Sequence, residues 1–265
     1  MTRVIVHAGF HKTGTSSLQD YLGQNWDALR PWLTYYGQGD ALHGSAVAGR
    51  IYAKKPFPWR KRAFRRALRA DLAALTDAET LVLSREHYSG VMPGHLDWRG
   101  RVIPNFRRAA KPLAKVIVSE LRHRFGRDVE ITFLYTTRDK DDWIRSVHGH
   151  LLRVIKLRDD FDTFRARFPS LKSPAEEAEI MRRTLAPVPV VTAALEDWST
   201  HHAGPAGVVL ALAGVPDNAQ ASLPPARPTN QGKSEEIRDA LLHLNRQDLS
   251  KPRLRAAKNR LLDSE

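Results

Sequence analysis

No cysteine occurs among the 265 residues. A disulfide scaffold and a cysteine-bound zinc site are thereby excluded, and a cytoplasmic location is the expectation. Also missing is any apolar run of the roughly 18 residues a membrane span needs. The N-terminal run Val4-Ile5-Val6 stops at His7, too short for the core of a signal peptide, so none is expected. Acidic residues are scarce beside basic ones: 29 Asp and Glu against 42 Lys and Arg, a net charge of +13. Between Arg50 and Arg69 nine basic residues stand without a single acidic one. Such a block is either a solvated helix face or an electropositive surface for an anionic partner, be it a nucleotide, an acidic glycan, nucleic acid or a membrane surface. Hydrophobic residues, at 42%, are numerous enough to build a core, which excludes a wholly disordered chain.

Strand-like and helix-like patterns alternate along the chain. Residues 3–8, 80–84, 129–137 and 188–192 read as strands, the third being the strongest. Helical periodicity covers Leu18 to Leu29, Arg60 to Leu75, Leu113 to Phe125, Asp141 to Leu157 and, with breaks near Pro169 and Pro174, Phe161 to Leu185. Short helices and turns are expected from Glu196 to Gly214. Ser234 is placed to cap a helix from Glu235 to about Leu249, and Arg253 to Leu262 reads as another. Residues 34–50, 90–104 and 215–234 read as loops. The alternation implies an α/β fold with a mainly parallel central sheet of four to five strands and helices on both faces. One domain is expected over 1–265, with a basic helical insertion around 50–75 and a helical tail over 234–265. Ligands of such sheets sit beyond the carboxyl ends of the strands, which directs attention to Gly9–Ser17, Arg85–Ser89, Arg138–Ser146 and Leu195–Trp198.

Gly9 and Gly14 have the G-x-x-x-x-G spacing of a Walker A loop, but Thr15 and Ser16 follow Gly14, and Lys12 lies inside the loop. A loop that opens a helix offers backbone N–H groups to an anion. Thr13, Thr15, Ser16 and Ser17 add hydroxyl donors, and Lys12 adds a charge able to stabilise a leaving group. The stretch His-Lys-Thr-Gly-Thr-Ser-Ser-Leu-Gln over 11–19 resembles the 5′-phosphosulfate loop of the sulfotransferase superfamily, especially bacterial members with an H-K-T-G-T-[ST]-S-[LI]-Q stretch. The resemblance implies a P-loop-type three-layer fold. It also implies 3′-phosphoadenosine-5′-phosphosulfate (PAPS) as co-substrate, PAP as product and no metal requirement. By it, Lys12 stabilises the bridging oxygen, while Thr13, Gly14, Thr15, Ser16 and Ser17 hold the 5′-phosphate.

Arg138 and Ser146 match the family's 3′-phosphate site, an Arg ending a strand and a Ser eight residues on, with Trp143 at a commonly aromatic position. Lys140 departs from the Pro found there in many members. An arginine supplies a planar fork for phosphate oxygens; against this, Arg138 has acidic neighbours at 139, 141 and 142 with which to pair. Leu195-Glu196-Asp197-Trp198 is similar to the family's Y-E-D-L segment and is read as a buried polar anchor or helix start. Lys233, with Arg227 and Asn230, falls where the family closes a segment over the 3′-phosphate, although the R-K-G-x-x-G pattern is absent.

Sulfuryl transfer to a hydroxyl, carbohydrate or other small molecule, needs a general base. Glu86 is the first candidate, then His87, then His11, and His43 is a candidate lining residue. Two rival classes remain open. A P-loop kinase or NTPase would need a lysine after Gly14, where Thr15 stands, and an acid for Mg²⁺. A non-catalytic module for nucleic acid or another polyanion would draw on the Arg50–Arg69 block, but no nucleic-acid motif or aromatic-interleaved basic stretch accompanies it.

Overall fold

The computed structural model describes residues 2–39, 41–227 and 234–263. Its chain runs β1 (Arg3–His7), α1 (Thr15–Gln24), α2 (Trp26–Leu29), β2 (Thr34–Tyr36), α3 (His43–Lys54), α4 (Pro58–Ala73) and β3 (Thr80–Ser84). A 3₁₀ turn over Glu86–Ser89 follows, then α5 (Arg107–Phe125), β4 (Glu130–Thr137), α6 (Lys140–Val154), α7 (Phe161–Ala166), α8 (Pro174–Leu185) and β5 (Val190–Ala194). The chain continues through α9 (Leu195–Trp198), α10 (Gly207–Ala213), α11 (Asp217–Ser222), α12 (Glu235–Arg246) and α13 (Lys251–Asp263).

The five strands form one all-parallel sheet in the order β2-β3-β1-β4-β5. Strand side chains alternate between faces, and two cores result. Val4, Val6, Leu81, Leu83, Phe133 and Tyr135 face one core, closed by α4, α5, α6 and α8. Ile5, Val82 and Leu134 face the other, closed by Leu18, Tyr21 and Leu22 of α1 and by α10. The protein is thus a three-layer α/β fold, as the alternation of patterns implies. No helix among the described residues is long and apolar enough to cross a membrane.

Four local expectations are corrected. Residues 34–50, read as loop, contain β2 and most of α3. Three residues are too few to show a strand period, and Gly49, one of the glycines that suggested a loop, serves packing: a Cβ on it would lie 2.7 Å from the His87 carbonyl oxygen. The helix read as starting at Leu113 begins at Arg107 and carries Pro112 inside it. The last strand lies two residues later than its apolar run suggests. Pro189 has no N–H to give to the ladder, so it serves only as an acceptor, from the Phe133 N–H at 2.9 Å, and pairing starts at Val190. Within the polar stretch 215–234, Asp217–Ser222 is helical. Ser234 does cap α12, its side chain accepting from the Ile237 N–H.

Candidate active site

Four strands, β1, β3, β4 and β5, end on one rim, and the segments that leave them converge there. The β1 loop is shaped by close approaches. A Cβ on Gly9 would lie 2.5 Å from His7 Nε2 and 2.8 Å from Thr15 Oγ1, and one on Gly14 would lie 2.7 Å from Leu195 Cδ1. Gly14 has φ +90°, and Lys12 has φ +71°, a left-handed conformation that costs a side-chain-bearing residue energy and clusters at functional sites. Gly14 gives α1 no side-chain cap, and the first helical bond runs from the Leu18 N–H to the Gly14 carbonyl. The N–H groups of Thr15 and Ser16, which precede that bond, therefore point out of the helix start.

The loop is tied down from behind. Thr13 Oγ1 donates to the Phe10 carbonyl and accepts from Thr136 Oγ1 on β4, both at 2.7 Å. Trp143, fully buried on α6, donates its indole N–H to the His11 carbonyl at 3.0 Å. Ser84 Oγ bridges Gln19 Nε2 at 2.9 Å and His7 Nδ1 at 2.7 Å, linking α1, β3 and β1.

The resulting cleft, about 230 Å³, is lined by His11, Lys12, Gly14, Thr15, Ser16, Ser17, Glu86, Met92, Arg138, Ser146, His150, Arg153 and Leu195. Most sequence candidates therefore meet in one place, from three strand ends and α6. Thr13, wholly buried, does not line the cleft, its hydroxyl being used in the interior, and the buried Thr15 hydroxyl also donates inward, to the Phe10 carbonyl at 3.2 Å. His87 stands behind His11, ring edge to face at 5.4 Å. His43 is exposed at the start of α3, Arg227 is exposed, and neither lines the cleft. Lys233 and Asn230 lie outside the described residues.

Glu86 does not pair with Arg85, whose guanidinium donates to the Gly39 carbonyl. Its carboxylate stands 3.6 Å from His11 Nε2 and within hydrogen-bond reach of Thr15. Burial lifts the Glu86 carboxyl above its ordinary value. Burial, then Arg153 and Arg138, holds the Lys12 ammonium below its own. Three cations thus face one carboxylate, and the histidines respond. Burial is the main cause that lowers His11 and His150 to about 3 and His87 to about 4, so all three are neutral at neutral pH. Arg153 donates to His150 Nδ1 at 3.3 Å, which leaves the His150 proton on Nε2. Such a cleft is built for an anion richer in charge than one carboxylate.

Arg138 is 3.9 Å from Asp142, a loose i,i+4 contact that leaves its fork available. Asp139 caps α6 by accepting from the N–H groups of Asp141 and Asp142, and its own N–H donates to Glu196 Oε1 at 2.9 Å. Glu196 is therefore a polar anchor, but an exposed one rather than buried. Among the described residues no group of three or more His, Asp or Glu is arranged to hold a metal ion.

Sequence reading missed His150 and Arg153. The signal was present: Ser146, His150 and Arg153 lie at i, i+4 and i+7, one face of a helix. It also missed an aromatic cluster beside the basic block, where Phe57 stacks on Trp59 at 4.5 Å and meets Trp98 at 5.1 Å, with Arg99 over Trp98 at 4.5 Å. The block itself is split: Arg65 and Arg69 both bind the buried Glu120.

No protein-family model matches the chain, and no curated protein resembles it closely enough to indicate common descent.

Proposed function

We propose that this chain is a sulfotransferase that moves a sulfuryl group from PAPS to a hydroxyl acceptor and releases PAP. The observation that carries the reading is the convergence of the Gly9–Ser17 loop with Arg138 and Ser146 on one cleft. Both groups line the same cleft, so one donor with two phosphate-bearing ends could engage both. The cleft volume is below the roughly 300–1,000 Å³ that encloses a drug-sized molecule, so the pocket itself suits the charged groups of the donor. Thr15 in the Walker lysine position speaks against ATP chemistry of the Walker type.

In this reading the α1 N-terminus, with the Thr15 backbone N–H, and the hydroxyls of Ser16 and Ser17 hold the 5′-phosphate, and Arg138 with Ser146 holds the 3′-phosphate. The acceptor oxygen forms a bond to sulfur while the bond from sulfur to the bridging oxygen breaks. The acceptor proton passes to Glu86, and Lys12 faces the negative charge left on the bridging oxygen. Glu86 is favoured over His11 and His87 because burial raises its proton affinity, whereas it lowers theirs. The test is transfer of ³⁵S from labelled PAPS across a panel of hydroxyl acceptors, wild type against Lys12→Ala. Label transferred by the wild type alone supports the reading; equal transfer by the variant sinks it.

A further inference from the structure

The basic residues around α3, α4 and α5 are not all partnered alike. Where an arginine is structural, the chain supplies a buried carboxylate: Glu120 takes Arg65 and Arg69, and Asp97 takes Arg101 and Arg108. On α3, which packs against the Glu86–Ser89 turn, and at Arg153 in the cleft, it supplies none. Arg50 and Lys54 lie at i,i+4 on α3, hence on one face, and neither has a carboxylate within ion-pair distance among the described residues; nor has Arg153. These charges act on the site itself. Arg50 and Lys54 are among the causes that keep His95 neutral, Arg50 contributes the same at His87, and His95 in turn acts on His11 and His150. Gly49 allows the approach by bringing α3 flush against the turn that carries Glu86 and His87.

Beside this unpaired charge lie exposed rings. Trp98 is 44% and Trp59 56% exposed, and the backbone N–H of Trp98 donates to the Lys54 carbonyl at 3.1 Å. Isolated exposed tryptophans need no explanation, but a stacked group bordering a basic rim beside a charged cleft marks a binding surface. A saccharide combines what this surface would recognise: ring C–H faces for the indoles, hydroxyls for transfer and, if it carries uronate or sulfate, charge for Arg50, Lys54 and Arg153.

We propose that the acceptor is an acidic saccharide whose carboxylate or sulfate groups bind Arg50, Lys54 and Arg153 while a sugar ring lies on Trp98. This rests on the sulfuryl-transfer reading of the neighbouring cleft. The basic, aromatic surface also has features that suit anionic lipid, but Gly49 and Arg50 adjoin the turn that carries Glu86 and His87, where an acceptor has to present its hydroxyl.

Calorimetry on the PAP-saturated protein tests it. The probes are a uronate-containing tetrasaccharide, its carboxyl-reduced counterpart and phosphatidylglycerol vesicles. The acidic form should bind about tenfold more tightly than the reduced form, and the preference should shrink as salt rises. The double variant Arg50→Ala/Lys54→Ala should lose the preference with PAP affinity unchanged, and Trp98→Ala should weaken both sugars alike. Equal affinity for the two sugars, a preference retained by the double variant, or binding to vesicles but not to the acidic sugar would each overturn the inference. Failure of PAP itself to bind would instead remove the underlying reading.

Discussion

The indole N–H of Trp143 donates to the backbone carbonyl of His11 at 3.0 Å, so the helix that carries Ser146, His150 and Arg153 holds the loop that carries Lys12. Two elements that line the cleft are thereby fixed relative to each other. Trp143→Phe keeps most of the buried ring but leaves the carbonyl without its donor, and a cost of about 1–3 kcal/mol is expected. Thermal unfolding should show the loss, and PAP affinity should fall with it. Unchanged affinity in a destabilised variant would mean that the contact supports the fold but not the site.

Lys12 occupies a left-handed conformation that glycine adopts without penalty. Lys12→Gly should therefore unfold no earlier than the wild type while losing turnover by about 10²–10³. Measuring both in one preparation separates a functional lysine from a structural one. A variant with wild-type turnover would remove Lys12 from the chemistry.

The pH dependence distinguishes the candidate bases. Glu86 must be deprotonated to accept the acceptor proton, so kcat/KM should fall as pH drops through a carboxyl raised above its ordinary value. Lys12 must be protonated, so kcat/KM should fall again on the alkaline side, below the usual lysine range. His87, at about 4, and His11, at about 3, should contribute no limb near 6.5. Glu86→Gln should remove the acid limb together with most turnover. A limb near 6.5 that vanishes in His87→Gln would make the histidine the base.

The C-terminal tail supports the site at a distance. Lys258 of α13 donates to the carbonyls of Leu152, Ile155 and Arg153 at 2.6, 2.8 and 3.3 Å, and Asn245 adds a bond to Leu152 at 3.0 Å. Together they cap the end of α6. Lys258→Ala should cost about 1–3 kcal/mol by stranding buried carbonyls. Burial lowers Lys258 to about 8 from 10.5. Between those values the unfolded chain binds the extra proton, so the wild type should gain stability over Lys258→Ala as pH rises through that window. Denaturant unfolding at pH 8 and pH 10 measures the difference; a constant gap would contradict the burial account.

What the sequence made legible follows from the range of each signal. Thr80–Ser84 and the long run ending at Thr137 read as strands because burial on both faces leaves continuous apolar runs. The Gly9–Ser17 loop, Glu86 and Arg138 were legible because they sit at strand ends, where a parallel sheet places its ligands, and Ser146 by its spacing from Arg138. β2 was hidden by its length and α3 by glycines whose role is close packing. Thr13 was misjudged because a hydroxyl in a polar loop gives no sign that β4 will supply a partner, Thr136. Arg50 and Lys54 read only as charge; that no carboxylate among the described residues pairs with them is a tertiary fact.

The most direct measurement is a calorimetric titration of PAP in EDTA, beside ATP with Mg²⁺, using the wild type and Arg138→Ala. PAP should bind the wild type without metal and more tightly than ATP–Mg²⁺. Arg138→Ala should weaken PAP binding by about 10- to 100-fold, the loss of charge-assisted bonds to one phosphate. Tighter binding of ATP–Mg²⁺, or PAP affinity indifferent to Arg138, would contradict the account.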